Sequence, residues 1–260
     1  QPEELIKPIF IIFVAYFLSH IKLPNLGKYI ASIGVVIPII FFILLQPDTG
    51  TALVYIATFC GMLLMYGFPF YYYIVSFIAV FVPMPVIFQF LRPYQKDRLN
   101  TLFNLTSDPF GSSYNAIQAL ISIGSGGFFG KGLGEGTQSV LRFLPERHTD
   151  FIFASISENF GFIGGIAVIC LLTFVLYRIY KISTHIKSAY PYLIVIGCFF
   201  ILLIQVVVNI GMNMAIVPII GITLPFVSYG GSSLVTSFII LGIVSSIGYE
   251  YKKKQTLEIQ

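Results

Sequence analysis

The chain contains no tryptophan, and charge is scarce: Asp, Glu, Lys and Arg make up 10% of its 260 residues, against roughly 25% in an ordinary soluble domain. That scarcity excludes a water-soluble globular protein. Cysteine is sparse too. Cys60, Cys170 and Cys198 lie inside apolar runs with no short spacing between them, so neither a disulfide framework nor a zinc site is expected, and all three are read as small core residues. The short alternating segments of a transmembrane barrel are missing, and the first apolar run lacks the basic flank and cleavage site of a signal peptide. What is present is grease: 57% hydrophobic residues, 26 Phe and 16 Tyr. Apolar runs long enough for helices to cross a bilayer make this an integral membrane protein with helical spans.

Seven spans are expected, at about 5–19, 29–46, 51–67, 69–91, 151–177, 191–210 and 233–249. The expected fold is an all-α polytopic membrane protein, with residues 1–260 forming a single membrane domain. An odd number of spans puts the two ends on opposite sides. Lys22 and Lys28 then share one face with Arg178, Lys181 and Lys187 and with Lys252, Lys253 and Lys254, and the positive-inside rule makes that face cytoplasmic. The other face receives Gln1, the Gln46–Gly50 turn, a long extracytoplasmic loop over 92–150, and the segment 211–232. The chain begins at Gln1 without an initiator Met, so a fragment or incomplete gene product is expected.

A loop as long as 92–150 is uncommon unless it works as a lid or binding element. Within it, Tyr114 to Ile123 is apolar enough for a short helix, which runs into GSGGFFGKGLGEG, with seven glycines from Gly124 to Gly136. A Walker phosphate loop would need Ser or Thr where Gly132 stands, so no nucleotide site is expected, and no nucleic-acid partner either. Flexible or close backbone packing is one reading of these glycines. Holding a phosphorylated ligand, with Lys131 beside it, is the other.

LRFLPERHTDFIF, Leu141 to Phe153, gathers Arg142, Glu146, Arg147, His148 and Asp150 at the outer mouth of the fifth span. A carboxylate at Asp150 is partly removed from water, which favours a basic group, while Arg147 and His148 tune it the other way, so it is placed to act as a general base. The alternative is helix capping by Thr149 or Asp150. Glu158, two turns deeper on a similar face, is either a functional carboxylate or half of an internal pair. Glu4 and Lys7, at i and i+3, form a surface ion pair or line a cavity. Gln205, Asn209 and Asn213 form a polar stripe suited to interhelical hydrogen bonds. Beyond it, Pro218, Pro225 and the run from Ser228 to Ser233 break any helix, which membrane depth tolerates only where the backbone is buried or lines a cavity. Acid and base together suit a lipid-linked saccharide. A transporter is the competing class, although no internal repeat is evident.

QPEELIK, QPDTGTALV, YQKDR, IGSGGFFGKGLGEGTQ, FLPERHTDFIFASISENFG and NIGMNMAIVPIIGITLPFVSYGGSS, with the closing apolar helix, resemble successive motifs of the SEDS family, the FtsW/RodA/SpoVE proteins. The match runs in order along essentially the whole chain, and the ERHTDF wording tilts toward the elongation branch. The resemblance implies a ten-helix fold of which this chain lacks the first three helices. It also implies a peptidoglycan glycosyltransferase that polymerises lipid II on the outer face of the bacterial cytoplasmic membrane, beside a class B penicillin-binding protein. Residue by residue, it puts the catalytic aspartate at Asp150 and substrate or pyrophosphate contacts at Gln1, Glu4, Lys7 and Arg98.

Lys131, Glu146, His148, Thr149, Glu158 and Ser228 join these as candidate substrate contacts. Two positions depart from the family pattern: Glu3 replaces a serine, and Asn159 replaces a second acid, leaving Glu158 alone. Mg²⁺ or Mn²⁺ is plausible for pyrophosphate chemistry, though no dedicated ligand cluster stands out. A lipid II flippase and a non-catalytic scaffold for the penicillin-binding protein are the alternatives.

Overall fold

A computed structural model of the chain describes residues 1–46, 48–82, 96, 113–141 and 143–258, without side-chain detail at 79–81 and 254–258. Every regular element among them is helical: α1 Pro2–His20, α2 Asn25–Leu45, α3 Thr49–Tyr66, α4 Phe70–Phe81, α5 Tyr114–Ser125, α6 Thr137–Val140, α7 Ile152–Ser183, α8 Ala189–Asn213 and α9 Gly231–Glu258. Five are long and apolar enough to cross a membrane, namely α2, α3, α7, α8 and the Gly231–Lys253 part of α9. Helix α1 carries Glu3, Glu4 and Lys7 in its first two turns, and α4 is described for only 12 residues. The expected short helix at 114–123 is present as α5.

The described residues form two compact units. One is drawn from 1–68, 172–206 and 230–260, the other from 69–171 and 207–229. In the first, α1 packs on α2, α3 and α9, and α2 packs on α3. The stripe Phe10, Ile11, Val14, Ala15 and Leu18 is buried, while Ile9, Phe13 and Tyr16 are exposed, as befits a helix with one packed face and one lipid face. Asp48 caps α3 by accepting from the Thr51 backbone N–H at 2.9 Å. Lys28, expected with Lys22 in a short loop, lies instead in the first turn of α2 and is buried. Its ammonium donates to the Leu18 carbonyl at 3.2 Å and to the Tyr66 hydroxyl at 2.9 Å, tying together the ends of α1, α2 and α3. Of the three cysteines expected in the core, only Cys198 is buried; Cys60 and Cys170 are exposed. An apolar run does not separate core from lipid, because both surroundings are apolar.

The second unit contains the glycine-rich segment, which is spliced into a break in α7. Gly161 has φ 69° and ψ −163°, a backbone region essentially reserved for glycine. The carbonyls of Glu158 and Asn159 accept from the N–H groups of Lys131 and Gly132 at 3.0 and 3.1 Å. In return, Phe162 and Ile163 donate to the carbonyls of Gly127 and Phe128 at 2.8 and 3.4 Å. Two intrahelical bonds are thus exchanged for four with the loop, leaving these backbone groups paired at a helix break. A Cβ on Gly130 would sit 2.1 Å from the Asn159 oxygen, which is why side chains are excluded at this contact. Of the two readings of the glycine run, this is close backbone packing.

Candidate active site

Asp150 stands two residues before α7, in a turn that opens with Glu146 at φ 50°. The turn is closed by backbone N–H groups of Thr149 and Phe151, which donate to the Glu146 carbonyl at 3.2 and 3.1 Å. Thr149 Oγ1 donates to Glu146 Oε2 at 2.9 Å. The next three carbonyls are each gripped by the segment that follows the polar stripe, or by the stripe itself. Tyr229 N–H donates to the His148 carbonyl at 2.8 Å. The Ser228 hydroxyl donates to the Thr149 carbonyl at 2.6 Å. Asn209 and Asn213 Nδ2 both donate to the Asp150 carbonyl, at 3.0 and 2.9 Å.

Asn213 has a second task. Its Oδ1 accepts the Ala154 N–H at 3.1 Å, capping α7 from a neighbouring helix. The amide is oriented by these partners, since Nδ2 faces carbonyls and Oδ1 faces an N–H. Asn209 Nδ2 also reaches the Ile222 carbonyl at 2.6 Å, and Leu224 N–H donates to Ser228 Oγ at 2.7 Å, so the irregular 214–229 segment is fixed by the same side chains. Asn209 and Asn213 are wholly buried and Ser228 nearly so, whereas Asp150 is half-buried. Gly221, at φ 66°, faces the carboxylate: a Cβ there would lie 3.3 Å from Asp150 Oδ2. Arg147 Nε donates to His148 Nε2 at 3.0 Å, and Arg147 Nη1 is buried without a hydrogen-bond partner among the described residues. Glu146 and His148 are exposed.

Glu158 is fully buried and occupied. Its oxygens accept from the N–H groups of Gln138 and Ser139 at 2.9 and 3.0 Å and from the Ser139 hydroxyl at 2.6 Å, at the start of α6. Lys131 Nζ lies 3.7 Å away and also donates to Thr137 Oγ1 at 3.1 Å, with its side chain 29% exposed. The internal-pair reading therefore describes Glu158, and its contact is with the loop. Beside it, a cavity of about 220 Å³ is lined mainly by apolar residues, among them Ile123, Phe153, Phe162, Ile166 and Met214.

The remaining predicted residues lie in the first unit or outside the described residues. Lys7 Nζ contacts Glu4 Oε1 at 2.5 Å, with side chains 2% and 7% exposed. The surface ion pair is thus corrected to a buried one, because the first turn of α1 is covered by protein. Tyr55 supports this turn by donating its hydroxyl to the Glu3 carbonyl at 2.8 Å. Gln1 is exposed. Arg98 and Arg142 are outside the described residues. Asn209 was legible as a polar stripe residue and Gly221 as part of a helix-breaking segment, but nothing in their spacing tied either to Asp150. No group of three or more His, Cys, Asp or Glu side chains among the described residues is placed to hold a metal ion.

The FtsW/RodA/SpoVE cell cycle proteins match residues 1–253 as a family. The chain belongs to this family. Among its relatives, stage V sporulation protein E of Bacillus subtilis is 36% identical over 258 residues, which cover 95% of this chain and 68% of that protein. The peptidoglycan glycosyltransferase MrdB of Escherichia coli K12 is 37% identical over 252 residues, covering 95% and 67%. A solved chain from a peptidoglycan synthase complex that coordinates polymerization and crosslinking superposes with a TM-score of 0.80 at 28% identity, covering 96% of this chain and 70% of that one. Thermus thermophilus rod shape determining protein RodA superposes at 0.66 with 27% identity, over 96% and 66%. The chain spans about two thirds of the length of these FtsW/RodA/SpoVE relatives.

Proposed function

We propose that this chain carries the catalytic aspartate of a peptidoglycan glycosyltransferase that polymerises lipid II into glycan strands during cell elongation or division. The observation that carries the proposal is the grip on Asp150. Three consecutive carbonyls, those of His148, Thr149 and Asp150, are held by Tyr229, Ser228, Asn209 and Asn213, so the backbone beneath a half-buried carboxylate is fixed. Family membership supplies the reaction class. In that reaction Asp150 takes the proton of the acceptor sugar's 4-hydroxyl as its oxygen attacks the donor's anomeric carbon. The bond from that carbon to the pyrophosphate breaks, and undecaprenyl pyrophosphate leaves. An α-linked donor yields a β-linked strand, so a single displacement with inversion needs one base and no covalent intermediate.

The leaving phosphates need cationic hydrogen-bond donors. Arg147 Nη1, buried without a partner among the described residues, and the partly exposed Lys131 ammonium, which also contacts Glu158 and Thr137, lie within the same unit. Arg98, Gln1, Glu4 and Lys7 are retained as substrate contacts on the family pattern. Glu146, His148 and Thr149 form the wall of the Asp150 turn. Glu158 is reassigned to positioning, because its oxygens bind the loop that bears Lys131. The apolar cavity between α5 and α7 suits part of the polyprenyl chain. No step is routed through a metal ion.

The proposed topology has seven spans in the bacterial cytoplasmic membrane, with α1 and α4 completing the set. The 92–150 loop and Asp150 face outward, and the basic ends of α7 and α9 face the cytoplasm. A class B penicillin-binding protein is the proposed partner. The test is strand formation from labelled lipid II in detergent, using the full natural chain with a partner transpeptidase whose own active site is blocked. Asp150→Asn is expected to lose on the order of 10²–10⁴-fold in rate with folding and partner binding unchanged. Equal output from parent and variant would remove Asp150 as the base. No output from either, with labelled lipid II crossing sealed vesicles, would replace the polymerase with the flippase reading.

A further inference from the structure

A cavity of about 300 Å³ opens in the first unit between the C-terminal ends of α7 and α9, lined by Ile182, His185, Gly248, Tyr251 and Lys252. It uses none of the residues assigned to glycosyl transfer. Its floor is apolar and tight: a Cβ on Gly248 would sit 3.3 Å from Ile182 Cγ2, so glycine is what keeps the space open. Its rim is polar. His185 Nδ1 is engaged with the Lys181 carbonyl at 2.8 Å, which leaves Nε2 as the ring atom for a ligand. Lys252 is exposed on the opposite wall and Tyr251 is half-buried beside it.

The charge around this cavity is one-sided. Arg178 and Lys181 in α7, Lys187 just past it, and Lys252, Lys253 and Lys254 on α9 outnumber the two acids of these segments, Glu250 and Glu258. At about 100° per residue, Glu250 lies on the far side of α9 from Gly248 and Lys252. The apolar run of α9 closes near Tyr249, just before the lysines at 252–254, so the cavity sits where hydrocarbon gives way to headgroups. A pocket between transmembrane helices with an apolar floor and a basic rim at that depth has the chemistry of a phospholipid headgroup site. Its volume is at the small end of ligand pockets, which fits a headgroup and the first carbons below it.

We propose that this cavity binds an anionic phospholipid of the cytoplasmic leaflet. The phosphate lies between Lys252 and His185, and the glycerol and upper acyl carbons rest on Ile182 and the bare face of Gly248. The inference rests on the topology proposed above for its choice of leaflet, and not on the assignment of Asp150. It makes the protein's lipid contacts selective for charge at one defined place, beyond the diffuse attraction of a basic surface.

The test uses the full natural chain in nanodiscs containing equal phosphatidylglycerol and phosphatidylcholine, with retained lipid measured by native mass spectrometry after gentle release. The parent is expected to retain phosphatidylglycerol preferentially. Lys252→Ala is expected to reduce that preference about fivefold, and Gly248→Leu to abolish it by filling the cavity. Lys253→Ala removes the same charge one residue away and should leave most of the preference intact. Equal losses in Lys252→Ala and Lys253→Ala, or no preference in the parent, would overturn the site. So would displacement of the lipid by millimolar inorganic phosphate. Lys253→Cys, labelled in sealed cells by a membrane-impermeant thiol reagent, tests the leaflet separately: labelling from outside would overturn the topology while the nanodisc result stands on its own.

Discussion

Replacing Asn213 tests whether the site depends on the backbone grip or only on the presence of Asp150. In Asn213→Ala the Ala154 N–H, in a fully buried residue, loses its acceptor and the Asp150 carbonyl loses one donor but keeps Asn209, while the Asn209 carbonyl and Oδ1 also lose the Asn213 amide. Orphaning a buried N–H costs about 1–3 kcal/mol, and losing one of two donors to a carbonyl adds about 0.5–1.5 kcal/mol, so the expected destabilisation is on the order of 2–4 kcal/mol. Asn213→Asp separates the two roles. Its carboxylate can still accept from Ala154 and so retain the cap, while losing the donor to Asp150. Because a 1 Å displacement of a reacting group can cost about 10²-fold, both variants should lose on the order of 10²-fold in kcat for strand formation with KM for lipid II little changed. Only the alanine variant should lose the cap as well. The assay is steady-state polymerisation in detergent, paired with thermal unfolding of the same samples. Parent-like kcat in a folded Asn213→Asp protein would refute the idea that Asn213 positions the base. A double-mutant cycle with Asn209→Ala should show coupling of about 0.5–3 kcal/mol, since both amides share one acceptor.

Two further outcomes follow from the packing. Gly161→Ala forces a side chain into a φ of 69° and within 2.3 Å of the Gly130 nitrogen, so a loss on the order of 4 kcal/mol is expected, read as failure to recover monodisperse protein. Recovery of a stable variant would show that the loop splice is not as described. For the buried pair, Lys7→Met alone should destabilise by about 3–5 kcal/mol, whereas Glu4→Gln with Lys7→Met should recover most of that stability. If the double variant is as stable as the parent but makes no strands, the pair contacts substrate; full activity would make it structural.

The helical segments were legible because the apolar runs coincide with helices, and α1, α2, α3 and α8 begin and end within a few residues of where those runs predict, while α7 continues to Ser183 and α9 to Glu258. The short helix of the loop was legible for the same reason. What could not be read was which polar group meets which. Asn213 and Asp150 are 63 positions apart, and Glu158 and Ser139 are 19 apart. A stripe at i, i+4 says that amides face one way, and it does not name the carbonyl they will meet. The glycine run was ambiguous because glycine permits both a ligand cradle and backbone contact. It is the break at Gly161, a single residue inside an apolar run that scores as uninterrupted helix, that decides for contact.

An acid that precedes a helix can serve as a cap or as a base, and at α7 part of the capping comes from other residues. The N–H of Ala154 in the first turn of α7 goes to Asn213, and those of Thr149 and Phe151 go to the Glu146 carbonyl, so the cap is assembled from a neighbouring helix and from the turn itself. The grip from Ser228, Asn209 and Asn213 ends on backbone carbonyls. Bonds donated to the peptide carbonyls beside a carboxylate fix the backbone that bears it. Gly221 completes the arrangement, since a residue with a Cβ would bring carbon to 3.3 Å from Asp150 Oδ2. A residue whose only duty was to start a helix would need neither the shared amides nor the bare backbone opposite its carboxylate. The proposed base, which must meet a sugar hydroxyl, is served by both.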